Sequence, residues 1–390
     1  METWQEVLKH NSIRSLEMLA AKFGPEHFPD MDRLRQAAEN FEFRISPAMV
    51  ELIQSPDDPI WRQYVPTVEE LDIRDGIVDS LNEDADSPVP NITHRYPDRA
   101  LFLVSPVCAT YCRFCTRRRK VGDPEKIPLN QYDSAFQYLR EHTEIRDVIM
   151  SGGDPMMLSD RRLEYLFQQL RAIPHIEIIR IGSRITSHLP ERITPEFCEM
   201  VQKYHPIFMN THFNHPSELT PAAVAALDRL SRAGVSLGCQ TVLLKGVNDD
   251  PKVMMKLMHE LLKARVRPYY LYMADQVAGG EHFRTTVQKG LEIMQALRGW
   301  TSGLAVPQFV IDSPGGGGKV PLLPEYLESM NDDEVVFRNY EGKRFVYKQP
   351  RQVPATPNEV ERVAELDVVP IGRKKTATPR RTKRRRAAGE

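Results

Sequence analysis

No apolar run in this 390-residue chain reaches the roughly 18 residues that a membrane-spanning helix requires. Nor does the amino terminus carry a basic region leading into an apolar one, so no secretory leader is expected and a cytoplasmic location is. Cysteine is scarce, at five residues, and an odd number. Three of the five, Cys108, Cys112 and Cys115, fall within eight positions, whereas Cys198 and Cys239 stand alone. That distribution excludes a disulfide framework and suits a metal cluster. An excess of one charge sign is missing too: 52 Lys and Arg face 53 Asp and Glu, for a formal net charge of -1. The balance hides two opposites, because residues 371–390 hold nine Lys or Arg and a single Glu, which leaves the body acidic. The body therefore lacks a nucleic-acid footprint. Only the basic run at 380–386 could bind nucleic acid or an acidic partner, and a solvated charge run is the competing reading there. The mixture of 41% hydrophobic and 27% charged residues excludes a disordered or collagen-like chain.

The chain divides by pattern into four regions. Residues 1–90 read as a helical amino-terminal extension, with helical pieces over 12–23, 31–41 and 47–53 separated by Pro-containing turns. Residues 91–325 alternate short strand-like runs (100–105, 147–150, 176–181, 207–209, 235–237, 267–271, 308–311) with segments whose apolar residues recur at helical spacing. Repeated βα units of this kind predict an α/β fold, a full or partial (β/α) barrel. Residues 326–350 predict a small strand pair around a turn at 339–342, and 351–390 a basic, disordered tail.

The cysteines form a CxxxCxxC loop directly after the first barrel strand, at the end where barrel active sites are built. Three thiolates can hold a [4Fe-4S] cluster with one iron left open to a chelating ligand. A structural zinc site would need a fourth ligand that the motif does not offer. The loop resembles the signature of the radical S-adenosylmethionine superfamily, with Phe114 at its aromatic position. That resemblance implies cleavage of S-adenosylmethionine at the open iron to give a 5′-deoxyadenosyl radical. Ser151, Gly152, Gly153 and Asp154 follow the next strand. By themselves they would suit any tight turn, but beside the cysteine loop they resemble the superfamily's contact to the methionyl amine, and Gln240 is a similar candidate for S-adenosylmethionine.

A glycine-rich stretch, 315–318, ends in Lys319. It fails the P-loop pattern, since Ser313 and Val320 stand where Gly and Ser or Thr belong. A lysine on a mobile glycine loop suits reversible imine formation with an aldehyde cofactor. With the segments at 94–99, 111–119, 267–270, 282–284 and 314–319, the chain resembles the lysine 2,3-aminomutase family nearly continuously from about Thr93 to about Tyr326. The resemblance implies that Lys319 carries pyridoxal phosphate while Arg95 and Arg99 hold its phosphate. It further implies that Arg117 binds the α-carboxylate of the substrate, and that Asp275 and Asp312 bind the distal ammonium of lysine. His212 is expected near the pocket, with a satisfied structural histidine as the equal alternative. The implied activity converts L-lysine to β-lysine and needs an external electron donor. Alternatives are another amino acid or a protein-attached lysine as substrate, and, in another class, an iron–sulfur redox sensor associated with nucleic acid. Members of the family with an intersubunit zinc site use extra cysteines that are missing here, since no Cys follows Cys239. No zinc is expected, and a homo-oligomer, a dimer for instance, stays plausible.

Overall fold

The computed structural model describes residues 3–350, which fall into two compact units divided between Glu325 and Tyr326. The first is built on a nine-stranded sheet in chain order: β1 Ile92–Tyr96, β2 Arg99–Ser105, β3 Asp147–Gly152, β4 Ile178–Gly182, β5 Ile207–His212, β6 Ser236–Leu243, β7 Arg267–Met273, β8 Gln308–Ser313 and β9 Gly318–Pro321. Strands β2 to β8 are mutually parallel, while β1 and β9 pair antiparallel at the two ends of the ladder. The barrel is therefore a partial one, with β1 and β9 as its two edges.

Alternation along each strand separates an outer apolar face from an inner polar one. In β3, Val148 and Met150 are fully buried under the helices, whereas Asp147, Ile149 and Ser151 line the lumen. The crossover helices are held by complementary stripes. Asp160–Arg171 buries Leu163, Leu166, Phe167 and Leu170, and its N-cap Ser159 accepts from the Arg162 amide. Pro251–Lys263 likewise buries Met254, Leu257, Met258 and Leu261 behind an Asp250 cap. Each such Leu or Phe removed from water contributes about 1.5–3 kcal/mol.

Two strands were not foreseen. Segment β1 overlaps the 94–99 motif without alternating hydrophobicity, and β9 begins within the glycine stretch that was expected to form a mobile loop. Gly315, Gly316 and Gly318 have φ of 72°, 90° and 82°, and they turn the chain back so that β9 pairs with β8. The amino-terminal helices Leu16–Phe23, Met31–Asn40 and Pro47–Leu52 occur where expected, with Trp4–Asn11 in addition. This extension supports the cysteine loop: the Tyr111 amide donates to the Arg44 carbonyl at 3.0 Å and the Arg113 amide to the Gln63 carbonyl at 2.9 Å. Arg113 is fully buried and forms a two-point pair with Glu70, at 2.8 and 2.7 Å.

The second unit holds three antiparallel strands, β10 Leu327–Met330, β11 Glu334–Arg338 and β12 Arg344–Lys348, one more than the expected pair. The basic tail, 351–390, lies outside the described residues. Among the described residues no helix is long and apolar enough to cross a membrane.

Candidate functional site

A cavity of about 570 Å³ opens at the carboxyl ends of the barrel strands and runs down the lumen. Every site residue expected from the sequence lines it: Cys108, Cys112 and Cys115; Ser151, Gly152, Gly153 and Asp154; Gln240; Arg95 and Arg99; Lys319; Arg117, Asp275 and Asp312. These positions span more than 220 residues of chain, and the parallel strand order is what gathers them.

The three cysteines are free thiols partly open to the cavity. Burial pushes all three upward in pKa, Cys115 to about 11, so taking up a cluster as thiolates must release protons. Thiols spaced around one cavity fit a multi-iron cluster that takes one thiolate per iron.

The two glycines at the end of β3 line the cavity and also meet a packing demand. Gly152 has φ of 124°, and a Cβ there would lie 2.3 Å from the Ser105 carbonyl oxygen; at Gly153 it would lie 2.6 Å from that of Val107. Their smallness lets the end of β3 press against the backbone leading into Cys108, where the Gly153 amide donates to the Ser105 carbonyl (2.6 Å) and the Asp154 amide to the Val107 carbonyl (2.8 Å). The buried Asp154 carboxylate accepts from Ser183 Oγ (2.7 Å) and from the amides of Met156 (2.9 Å) and Arg184 (3.0 Å), tying β3 to the segment after β4. Burial raises its pKa against the pull of those bonds.

Lys319 stands directly across the β8–β9 ladder from Asp312, with Nζ 3.1 Å from Oδ1 and the rings of Tyr96 and Tyr272 beside it. Asp275, in the segment after β7, lines the same cavity. Burial first, and repulsion from Asp312 second, push Asp275 up to about 7, although Lys319 and Arg117 pull the other way. Two acids in one pocket with a titration raised to this degree make a place where a further cation is favoured.

The arginines have partners that sequence reasoning missed. Arg117 Nε and Nη2 both reach Glu83 Oε1 at 2.7 Å, and its Nη1 donates to Ser151 Oγ at 3.3 Å. Arg95 is held by Asp86 at 2.7 Å and by the Leu81 carbonyl, while Arg99 pairs with Asp98 at 2.9 Å and lies over Tyr96. Arg118, Arg119 and Lys120 are occupied by Glu70, Asp79 and Asp84, so within 117–120 only Arg117 lines the cavity. The available signal was the acidic stretch 83–86, matched in charge to the basic one at 117–120. His212 lines the cavity and is also satisfied, with Nε2 3.0 Å from Asn214 Oδ1, and burial together with Arg184 holds its pKa well down.

Against known families, the model described as the radical SAM superfamily matches residues 102–258, and that described as lysine-2,3-aminomutase matches residues 294–378. The chain is similar to an L-lysine 2,3-aminomutase of Fusobacterium nucleatum, at 48% identity over 91% of this chain and 84% of the relative. An L-lysine 2,3-aminomutase of Clostridium subterminale is 48% identical over 87% and 82%, respectively. A glutamate 2,3-aminomutase of Clostridioides difficile is also similar, at 45% over 80% and 75%.

Proposed function

The chain belongs to the lysine 2,3-aminomutase family of radical S-adenosylmethionine proteins, and on that premise we propose that it is the isomerase that converts L-lysine to β-lysine. The observation that carries this reading is the single cavity that unites the three cysteines, Lys319, Arg117 and the Asp275–Asp312 pair. When bound, the cluster and S-adenosylmethionine supply a 5′-deoxyadenosyl radical, and pyridoxal phosphate supplies the unsaturated system that lets nitrogen migrate.

The rest falls to the protein. Cys108, Cys112 and Cys115 would hold the cluster, and the backbone of 151–154 together with Gln240 would offer a wall for S-adenosylmethionine. Lys319 would hold pyridoxal phosphate, and Arg95 and Arg99, which line the cavity while paired to Asp86 and Asp98, would supply charge for its phosphate. Arg117, oriented by Glu83, presents Nη1 to the α-carboxylate. Because the relatives include one that acts on glutamate, substrate choice rests on the distal end of the pocket, where two acids favour an ammonium and disfavour a carboxylate. An external one-electron donor is required, and the reduced thiols suit a reducing compartment, the cytoplasm.

Anaerobic reconstitution with iron, sulfide and pyridoxal phosphate, followed by S-adenosylmethionine, reductant and a panel of amino acids, tests the reading. β-Lysine is the expected product, and preferred turnover of glutamate would overturn it. Cys108→Ala, Cys112→Ala and Cys115→Ala should each lose the cluster absorbance and turnover, whereas Cys198→Ala and Cys239→Ala should keep both.

The raised Asp275 titration gives a pH signature. Its folded-state pKa lies above its ordinary value of 3.8, so the carboxyl takes up a proton as pH falls toward and below 7, and that proton competes with the incoming ammonium. Lysine itself keeps its distal charge throughout, as its side-chain pKa is about 10.4. Binding should therefore be roughly tenfold weaker at pH 6 than at pH 8. A flat affinity profile over that range would remove Asp275 from the ammonium site.

A further inference from the structure

Arg184, in the segment after β4, was not singled out by any sequence motif, yet its side chain reaches the cysteine loop. Its Nη1 lies 3.1 Å from Cys112 Sγ. The other arm of the guanidinium, Nη2, donates to Gln63 Oε1 at 2.7 Å and to Glu218 Oε2 at 2.8 Å. The residue is only 6% exposed, and its cationic carbon sits 5.3 Å from the Tyr64 ring and 5.6 Å from the Phe114 ring. Glu218 is itself fully buried and over-determined. It accepts from Ser187 Oγ (3.1 Å), Gln63 Nε2 (3.1 Å) and the amides of Asn214 (3.1 Å) and His215 (3.0 Å). The backbone amide of Arg184 is fixed in turn by Asp154.

A buried cation locked from four directions, with one N–H aimed at a sulfur, is costly to assemble and cannot relax away from that sulfur. Resting on the reading that Cys112 ligates a [4Fe-4S] cluster, we infer that Arg184 is a positioning residue that raises the cluster's reduction potential through a charge-assisted hydrogen bond to the Cys112 sulfur. The cluster accepts one electron from the external donor and passes from the 2+ to the 1+ state, and the added electron increases the negative charge on its sulfur ligands. A fixed guanidinium N–H stabilises that more negative state more than the oxidised one, and hydrogen bonds to sulfur are among the levers that set cluster potentials. Gln63 and Glu218 act through Arg184, because they hold its fork in register. The amino-terminal extension, through Gln63 and Tyr64, thereby contributes to the redox chemistry of a loop that is distant in sequence.

The test is a redox titration of the reconstituted chain followed by the electron paramagnetic resonance signal of the reduced cluster, without S-adenosylmethionine and with iron and sulfide content measured alongside. In Arg184→Gln the reduction equilibrium should shift about tenfold against the reduced cluster, a fall of about 59 mV for a one-electron couple, at unchanged iron content. Arg184→Lys, which keeps the charge but not the fork, should fall between that variant and the wild type. A full cluster with the wild-type potential in Arg184→Gln would overturn the inference. Because Arg184→Gln leaves the buried Glu218 uncompensated, the double variant Arg184→Gln/Glu218→Gln, neutral at both positions, provides the same reading if the single variant takes up no cluster. If both variants fold with wild-type thermal stability and neither assembles a cluster, Arg184 is a support for the loop and the tuning role is refuted. Failure of the wild-type chain itself to take up a [4Fe-4S] cluster would instead refute the assignment of the three cysteines, a separate outcome from an unchanged potential.

Discussion

Lys319→Ala should abolish turnover and the absorbance of covalently attached pyridoxal phosphate while leaving iron and sulfide content at the wild-type level. Among the described residues Lys319 is the only lysine on the cavity wall, so no neighbouring amine is placed to take over the attachment. Its position is fixed by the β8–β9 hairpin, which sets it opposite Asp312, and by its own backbone amide, which donates to Tyr96 Oη at 3.0 Å. Lys319→Arg separates two roles. An arginine keeps a permanent positive charge facing Asp312 but has no amine that can condense with an aldehyde, so it should be as inactive as the alanine variant. Activity in Lys319→Arg, or borohydride trapping of the cofactor on a different lysine, would show that the attachment point lies elsewhere.

The hairpin that carries Lys319 also marks where the sequence could and could not be read. Strands β2 to β8 and the helices between them were legible because each buries an apolar face whose period is visible within a dozen residues, as in Leu163, Leu166, Phe167 and Leu170. The four residues of β9 are too short to show any period, and the left-handed glycines at 315, 316 and 318 read equally as a flexible loop or a tight turn. The same limit applies to the polar contacts. Cys108, Cys112 and Cys115 announce themselves by spacing, but Arg117 and Glu83 are 34 residues apart, and Arg184 meets Cys112 across 72. Ion pairs between distant segments leave no local periodicity, so partners such as Glu83, Asp86, Arg184 and Glu218 emerge only once the barrel has brought their segments together. Gly152 and Gly153 show a subtler gap: the need for glycine was legible, but not that the backbone at Ser105 and Val107 also imposes it.

Asp275→Asn and Asp312→Asn should each weaken lysine binding on the order of a hundredfold, because removing one partner of a desolvated charge pair costs about 3 to 5 kcal/mol, and even the lower figure exceeds two decades in affinity. The two variants should nevertheless differ in their pH profiles. Asp312→Asn removes the repulsion that, after burial, does most to raise the Asp275 titration. The remaining carboxyl should then ionise at lower pH, and the loss of affinity between pH 8 and pH 6 should shrink. It also leaves Lys319 Nζ without its carboxylate at 3.1 Å, so Asp312→Asn should disturb the attachment of pyridoxal phosphate while Asp275→Asn should not. Asp275→Asn deletes the titrating group and should abolish the pH dependence while keeping cofactor absorbance intact. Arg117→Lys provides the contrast: it weakens the contact to the α-carboxylate, which every amino acid shares, so its effect should be of similar size on lysine and on ornithine. The measurements are the dissociation constant and turnover of lysine at pH 6 and 8 in each variant, beside wild-type turnover of glutamate. Lysine turnover unaffected by both Asn substitutions would remove the aspartates from the substrate site and leave Asp312 only its pairing with Lys319.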